Sequence, residues 1–100
     1  MGFNRLFSDE AKEDVNEILR NSSSDRQKRN FIETFDKHLD ILDKYPNSGE
    51  NAYKDYQIVR FVKLPFKFAY KIIKGNTLFV LAVFHKKRHP DYWKDRADKH

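Results

Sequence analysis

Eight cationic residues, Arg60, Lys63, Lys67, Lys71, Lys74, Lys86, Lys87 and Arg88, fall between Gln57 and Pro90, a stretch without a single Asp or Glu. His85 precedes the last three of them, and Tyr92, Trp93 and Arg96 follow within a turn or two. If folding brings Arg60, Lys67 and Arg88 together, they form a pocket able to hold a phosphodiester and to stabilise the added charge of a pentacoordinate transition state. His85 or Tyr92 then stands as general acid or base toward a ribose 2′-hydroxyl or a leaving 5′-oxygen, which is RNA cleavage without a metal. A plainer reading stays open beside it: basic residues at a strand end commonly form a solvated rim, and a single histidine there is commonly structural.

The charge is unevenly spread. Residues 1–50 hold 8 Lys/Arg against 11 Asp/Glu and residues 51–100 hold 12 against 4, so −3 and +8 sum to the formal net charge of +5. Positive potential is therefore concentrated on one part of the fold, which suits nucleic acid, a ribonucleoprotein or an acidic protein segment as partner. Lys63, Lys71, Lys86, Lys87 and Arg96 are the expected target-binding cations around the three named above. With no cysteine there is no disulfide frame, thiolate metal site or thiol nucleophile, in agreement with a reducing cytoplasm. His85, His89 and Asp91 share a face only in a helix, and Pro90 argues against one, so no metal is expected. Nor is any cofactor or small-molecule substrate. The N-terminal MGFNRLFSDEAKED turns acidic within ten residues, so neither a signal peptide nor a membrane span is expected.

One hundred residues with 39% hydrophobic content, nine Phe among them, fit a single domain over residues 1–100 with a modest core. Phe3 to Phe7 reads as a brief strand. Ser8 is placed to cap a helix whose first turn carries Asp9 and Glu10. Ala11, Val15, Ile18 and Leu19 line one face of that helix, leaving Lys12, Glu13, Asp14 and Glu17 in water. After the Asn21–Ser24 break, Asp25 is the expected cap of a second helix bearing Phe31, Phe35, His38, Leu39 and Leu42. The short connection predicts an antiparallel helical hairpin.

Tyr45–Gly49 is turn-rich, and Glu50 to Tyr56 reads as a polar loop. Ile58 to Lys63 predicts a strand. Phe66, Phe68, Tyr70 and Ile72 then alternate with Lys67, Ala69 and Lys71, the period-two pattern of a half-buried strand. Gly75-Asn76 suits a tight hairpin turn, and the nearly continuous apolar run Thr77–Phe84 predicts a strand covered on both faces. The fold class is α+β: an N-terminal helical hairpin packed on a small antiparallel sheet, in the order β-α-α-β-β-β with a short C-terminal tail. Trp93 is expected to close the core, while Tyr92 can serve either packing or base stacking.

LPFKFAYKI, followed by VLAVFHKKRHPDYW, resembles the bacterial RelE/ParE superfamily of type II toxin–antitoxin toxins, and FSDEAKEDVNEI resembles that family's first strand and helix entry. The resemblance spans nearly the whole chain. It implies a small cytoplasmic toxin held inactive by a cognate antitoxin, whose extended or helical segment wraps it, and freed when the antitoxin is degraded. Members similar to RelE cut mRNA in the ribosomal A site; the matching positions are Arg60, Lys67, Arg88 and Tyr92, with Lys67 standing where many such nucleases have Arg. Members similar to ParE poison DNA gyrase and need no catalytic set. The ending His85-x-x-Arg88 followed by Pro90 resembles that branch more closely.

Overall fold

The computed structural model describes residues 2–100. Its elements run β1 (Asn4–Phe7), α1 (Asp9–Arg20), α2 (Asp25–Lys44), β2 (Glu50–Tyr53), β3 (Tyr56–Arg60), β4 (Phe66–Ile73), β5 (Thr77–His85), a 3-10 turn (Pro90–Trp93) and α3 (Lys94–Lys99). The five strands form one sheet in the order β1-β5-β4-β3-β2. This is the expected α+β class, with β2 through β5 antiparallel in sequence and β1 added parallel to β5.

Local chemistry accounts for the helix starts. The Ser8 hydroxyl accepts the Ala11 N–H at 3.0 Å, and Ser24 accepts that of Gln27 at 3.2 Å. Ser24, not Asp25, is therefore the cap of α2, and Asp25 lies in the first turn, where its charge favours the helix dipole. The Glu50–Tyr56 stretch departs further from expectation, because Glu50–Tyr53 pairs with β3 as an edge strand. Edge strands bury little side chain, so their sequences lack the apolar alternation that marks inner strands. β3 stops at Arg60, short of the expected Lys63. There the Phe61 N–H bonds the Phe66 carbonyl at 2.9 Å, and Lys63 turns left-handed at φ 62°. The β4–β5 connection has Lys74 and Gly75 at positive φ, so its left-handed pair begins one residue before the expected Gly75-Asn76.

Both faces of the sheet are covered. On one, the α1–α2 hairpin packs Phe31, Phe35 and Leu39 against Phe61, Phe68 and Val80, and the Phe31 and Phe61 rings stack at 5.2 Å. Such ring pairs contribute about 0.5–1.5 kcal/mol beyond the area they bury. On the other, Tyr56, Ala69, Leu81 and Phe84 lie beneath Trp93 and Ala97. The residues after β5 are thus a cover for the second face rather than a loose tail, and Trp93, only 3% exposed, closes that layer as expected.

Asp14 is the largest correction to the sequence reading. Placed by spacing on the wet side of α1, it is 6% exposed. Its carboxylate accepts the Val83 N–H at 3.0 Å, the Tyr92 hydroxyl at 3.0 Å, and two nitrogens of Arg96 at 2.6 and 3.1 Å. Burial alone lowers the Arg96 pKa, but hydrogen bonding and charge contact with Asp14 outweigh it and hold the guanidinium above its ordinary value. Elsewhere, His38 on α2 accepts the Val62 N–H at 3.0 Å and so pins the β3–β4 loop. Burial holds that imidazole below its ordinary range.

Three outcomes follow for stability. Trp93→Ala is expected to cost about 3–5 kcal/mol, read as a lowered urea midpoint, because it empties the second layer. Asp14→Ala is expected to cost about 3–5 kcal/mol by the same measurement, since it leaves Arg96 buried without its counter-charge. For His38 the folded pKa lies below the unfolded one, so its contribution is complete above the ordinary value of 6.5 and is lost as the pH falls through and below it. His38→Gln should therefore flatten the decline of the urea midpoint between about pH 7.5 and about pH 5.5.

Candidate target-binding cleft

Strand register decides which cations meet. Arg60 on β3 lies directly opposite Lys67 on β4, and Lys67 lies opposite Phe84 on β5. Beyond the strand ends, the Lys86 N–H donates to the Pro65 carbonyl at 2.8 Å and clips the turn after β5 to the β3–β4 loop. These two connections bring Arg60, Lys63, Lys67, Lys86 and Lys87 around one cleft of about 710 Å³, walled by Phe61, Leu64, Pro65 and Phe66. A smaller hollow of about 270 Å³ shares Lys67 and Lys86 with it and adds Arg88 and Lys94 beside Trp93. No Asp or Glu lines either space.

Among the described residues, none of Arg60, Lys63, Lys67, Lys86, Lys87 and Arg88 takes part in an ion pair. Neighbouring like charges repel by on the order of 1 kcal/mol per close pair even in a water-like dielectric. An anion entering the cleft would relieve any such repulsion.

The other expected site residues are not drawn into it. The ring of His85 lies edge-on to Phe66 at 5.7 Å and lines an adjoining groove of about 600 Å³ between the helices and the end of β5, which shares the Leu64–Phe66 wall with the cleft. Its Nδ1 accepts the Lys87 N–H at 3.1 Å, which shapes the turn. Tyr92 borders that same groove, with its hydroxyl bonded to Asp14 and receiving an N–H from Arg96 at 2.9 Å. Burial, followed by the charge of Asp14, raises its pKa. Arg88 borders both the groove and the smaller hollow, with its guanidinium 4.6 Å from the Tyr92 ring centre. Lys71 lies elsewhere, its ammonium 4.8 Å over the Tyr56 ring, four residues along β4 from Lys67. Arg96 is committed to Asp14 and offers no free charge to a target. Among the described residues no group of three His, Asp or Glu is placed to hold a metal ion.

Two participants escaped the sequence reading. Lys94 was overlooked because the 90–93 segment reads as a tail, although a buried Trp93 fixes the position of the residue after it. Asp14 carried a legible signal, since it falls three and four residues from Ala11 and Ile18 on the apolar face of α1.

The family model described as the ParE toxin of the type II toxin–antitoxin system, parDE, matches residues 6–90. No curated protein is similar enough to count as a match. Among solved structures, the chromosomal ParDE system from P. aeruginosa superposes with TM-score 0.68 at 12% identity, covering 83% of this chain and 95% of that one. An E. coli RelE toxin mutant in the free state gives 0.67 at 16% identity, covering 99% and 97%. The RelBE2 toxin–antitoxin complex from Mycobacterium tuberculosis gives 0.59 at 16% identity, covering 85% and 99%. The fold is therefore shared with both RelE and ParE proteins, and the span of the family match makes the assignment: this chain belongs to the ParE toxin family of type II toxin–antitoxin modules.

Proposed function

We propose that this toxin arrests growth by seating its cationic cleft on DNA gyrase, with no chemistry of its own. The observation that carries this reading is that Arg60, Lys63, Lys67, Lys86 and Lys87 converge on a cleft that neither His85 nor Tyr92 lines, Arg88 alone bordering the groove of those two. Arg60, Lys63, Lys67, Lys86, Lys87 and Arg88 are then target-binding residues, and His85 shapes the turn that presents three of them. The partner that restrains the toxin is a cognate antitoxin with an acidic extended or helical segment, complementary to the unpaired charges. The proposed site of action is the cytoplasm; no described helix is long and apolar enough to cross a membrane.

A second reading is ribosome-dependent mRNA cleavage. One observation favours it: the Arg88 guanidinium stands 4.6 Å from the Tyr92 ring centre, which puts a hydroxyl proton donor beside a cation able to hold a phosphate. In this reading Tyr92 must leave Asp14 before it can reach a substrate held by Arg60, Lys67 and Arg88.

Induction of the chain, followed by parallel incorporation of labelled thymidine and labelled amino acid, separates the two. Halted DNA synthesis with translation intact is expected, together with inhibition of supercoiling by purified protein; translation failing first would reverse the assignment. Arg88→Glu is expected to abolish growth inhibition while changing the unfolding free energy, read by urea titration, by less than about 1 kcal/mol, because Arg88 is exposed and its one strong contact is with a ring face. Retained toxicity in that variant would remove Arg88 from the target-binding set.

A further inference from the structure

The cleft and the adjoining hollow meet at two side chains, Lys67 and Lys86, which line both. Together they make one strip running from β3 across β4 to the turn after β5, with Lys63 at its loop end and Arg88 at the other, beside Lys94, whose ammonium is paired with Asp91 at 3.1 Å. Strands lie about 4.8 Å apart, so the strand-borne part is about 10 Å wide, a length over which one duplex strand presents about three phosphates. From this we infer that the strip is a binding track for the sugar–phosphate backbone of a nucleic-acid duplex, held without reading its bases.

Three features select this ligand. The lining contains no Asn, Gln, Ser or Thr side chain, so neutral groups that read base edges are absent from it. Most of its aromatic rings are closed to stacking: Phe61, Phe84 and Trp93 are 5%, 6% and 3% exposed, and the half-buried Phe66 is the partly open ring of the lining. A single strand gains much of its affinity from such stacking, whereas a duplex backbone does not need it. Finally, four lysines accompany one arginine in the larger cleft. Ammonium groups on flexible stems follow a row of phosphates, while capture of individual carboxylates favours the planar fork of arginine. Duplex DNA carries one charge per about 1.7 Å, and an extended acidic peptide reaches at most one per about 3.4 Å. The left-handed backbone of Lys63, at φ 62°, places a lysine at the mouth of the cleft where glycine is the residue of least strain.

The inference rests on the reading that this cleft faces the target. It places the DNA that gyrase holds, rather than gyrase surface carboxylates, against the cations. The test is fluorescence anisotropy of the purified chain, without gyrase, against labelled DNA duplex, RNA duplex, single-stranded RNA and polyglutamate over a range of salt. Failure here leaves gyrase inhibition through protein contacts standing, and loss of gyrase inhibition leaves this binding result standing. Duplexes of unrelated sequence are expected to bind within about two-fold of one another, with a log–log salt slope of about −2.7 or steeper, three phosphates at about 0.9 each. DNA duplex is expected to bind at least as tightly as RNA duplex, and a clear preference for RNA duplex would overturn the placement of gyrase-held DNA in the strip. The double variant Lys67→Ala, Lys86→Ala should lower the slope magnitude by about 1.8, while Lys37→Ala on the exposed face of α2 leaves it unchanged. Equal binding of polyglutamate, binding of single-stranded RNA alone, or an unchanged slope in the double variant would overturn the proposal.

Discussion

Asp14 is the point through which three parts of the chain are held together. Its carboxylate satisfies a β5 backbone N–H, receives the Tyr92 hydroxyl, and takes a two-nitrogen contact from Arg96. The need for it comes from the sheet. β1 pairs with β5 only from Thr77 to Val80, so the remaining half of that strand presents backbone groups with no neighbouring strand. Helix α1 takes over where β1 ends: Ser8 bonds the Val80 and Leu81 carbonyls, and Asp14 bonds Val83. A buried carboxylate in that position demands a counter-charge, and the C-terminal segment supplies it. Docking of Trp93 and Ala97 onto the second face of the sheet follows from the same tether.

That arrangement also explains which cations stay available. Arg96 is withdrawn into the Asp14 contact, and Lys71 lies over the Tyr56 ring. Of the cleft's cations, Arg60 and Lys67 face each other on β3 and β4, and Lys63, Lys86 and Lys87 are carried by two short connections that the Lys86–Pro65 hydrogen bond holds side by side. Their mutual repulsion destabilises the free protein slightly and favours any anion that enters the cleft. Two-sided burial of the sheet is the structural condition for this. Phe66 and His85 pack toward the helical side and Lys67 and Phe84 toward the other, but the groove and the cationic cleft adjoin at the strand ends, where both are lined by Leu64, Pro65 and Phe66. His85 and Tyr92 thus line a different space from Arg60, Lys63, Lys67, Lys86 and Lys87, with Arg88 at the border, although all are close in sequence.

Much of the fold was legible residue by residue. The period of Ala11, Val15 and Ile18, the alternation through Phe66–Ile72 and the continuous apolar run of β5 each reported how much of an element is buried, because burial is what imposes those periods. Where burial is slight the signal is slight, and β2, a polar edge strand, passed for a loop. Ser24 and Asp25 are both competent caps, and only the backbone geometry at Ser24 selects between them.

For the site, the sequence showed a stretch of eight cations without an Asp or Glu among them, which suits a negative partner. Which of them act together was a matter of register: Arg60 faces Lys67, and the turns at residues 61–65 and 86–88 adjoin, through pairings between segments about twenty residues apart. Linear spacing carries no information about such closures. Nor does it disclose that Asp14 and Arg96, 82 positions apart, neutralise each other. A side chain's charge belongs to its residue type, but whether that charge is free depends on what the folded chain brings within hydrogen-bonding distance.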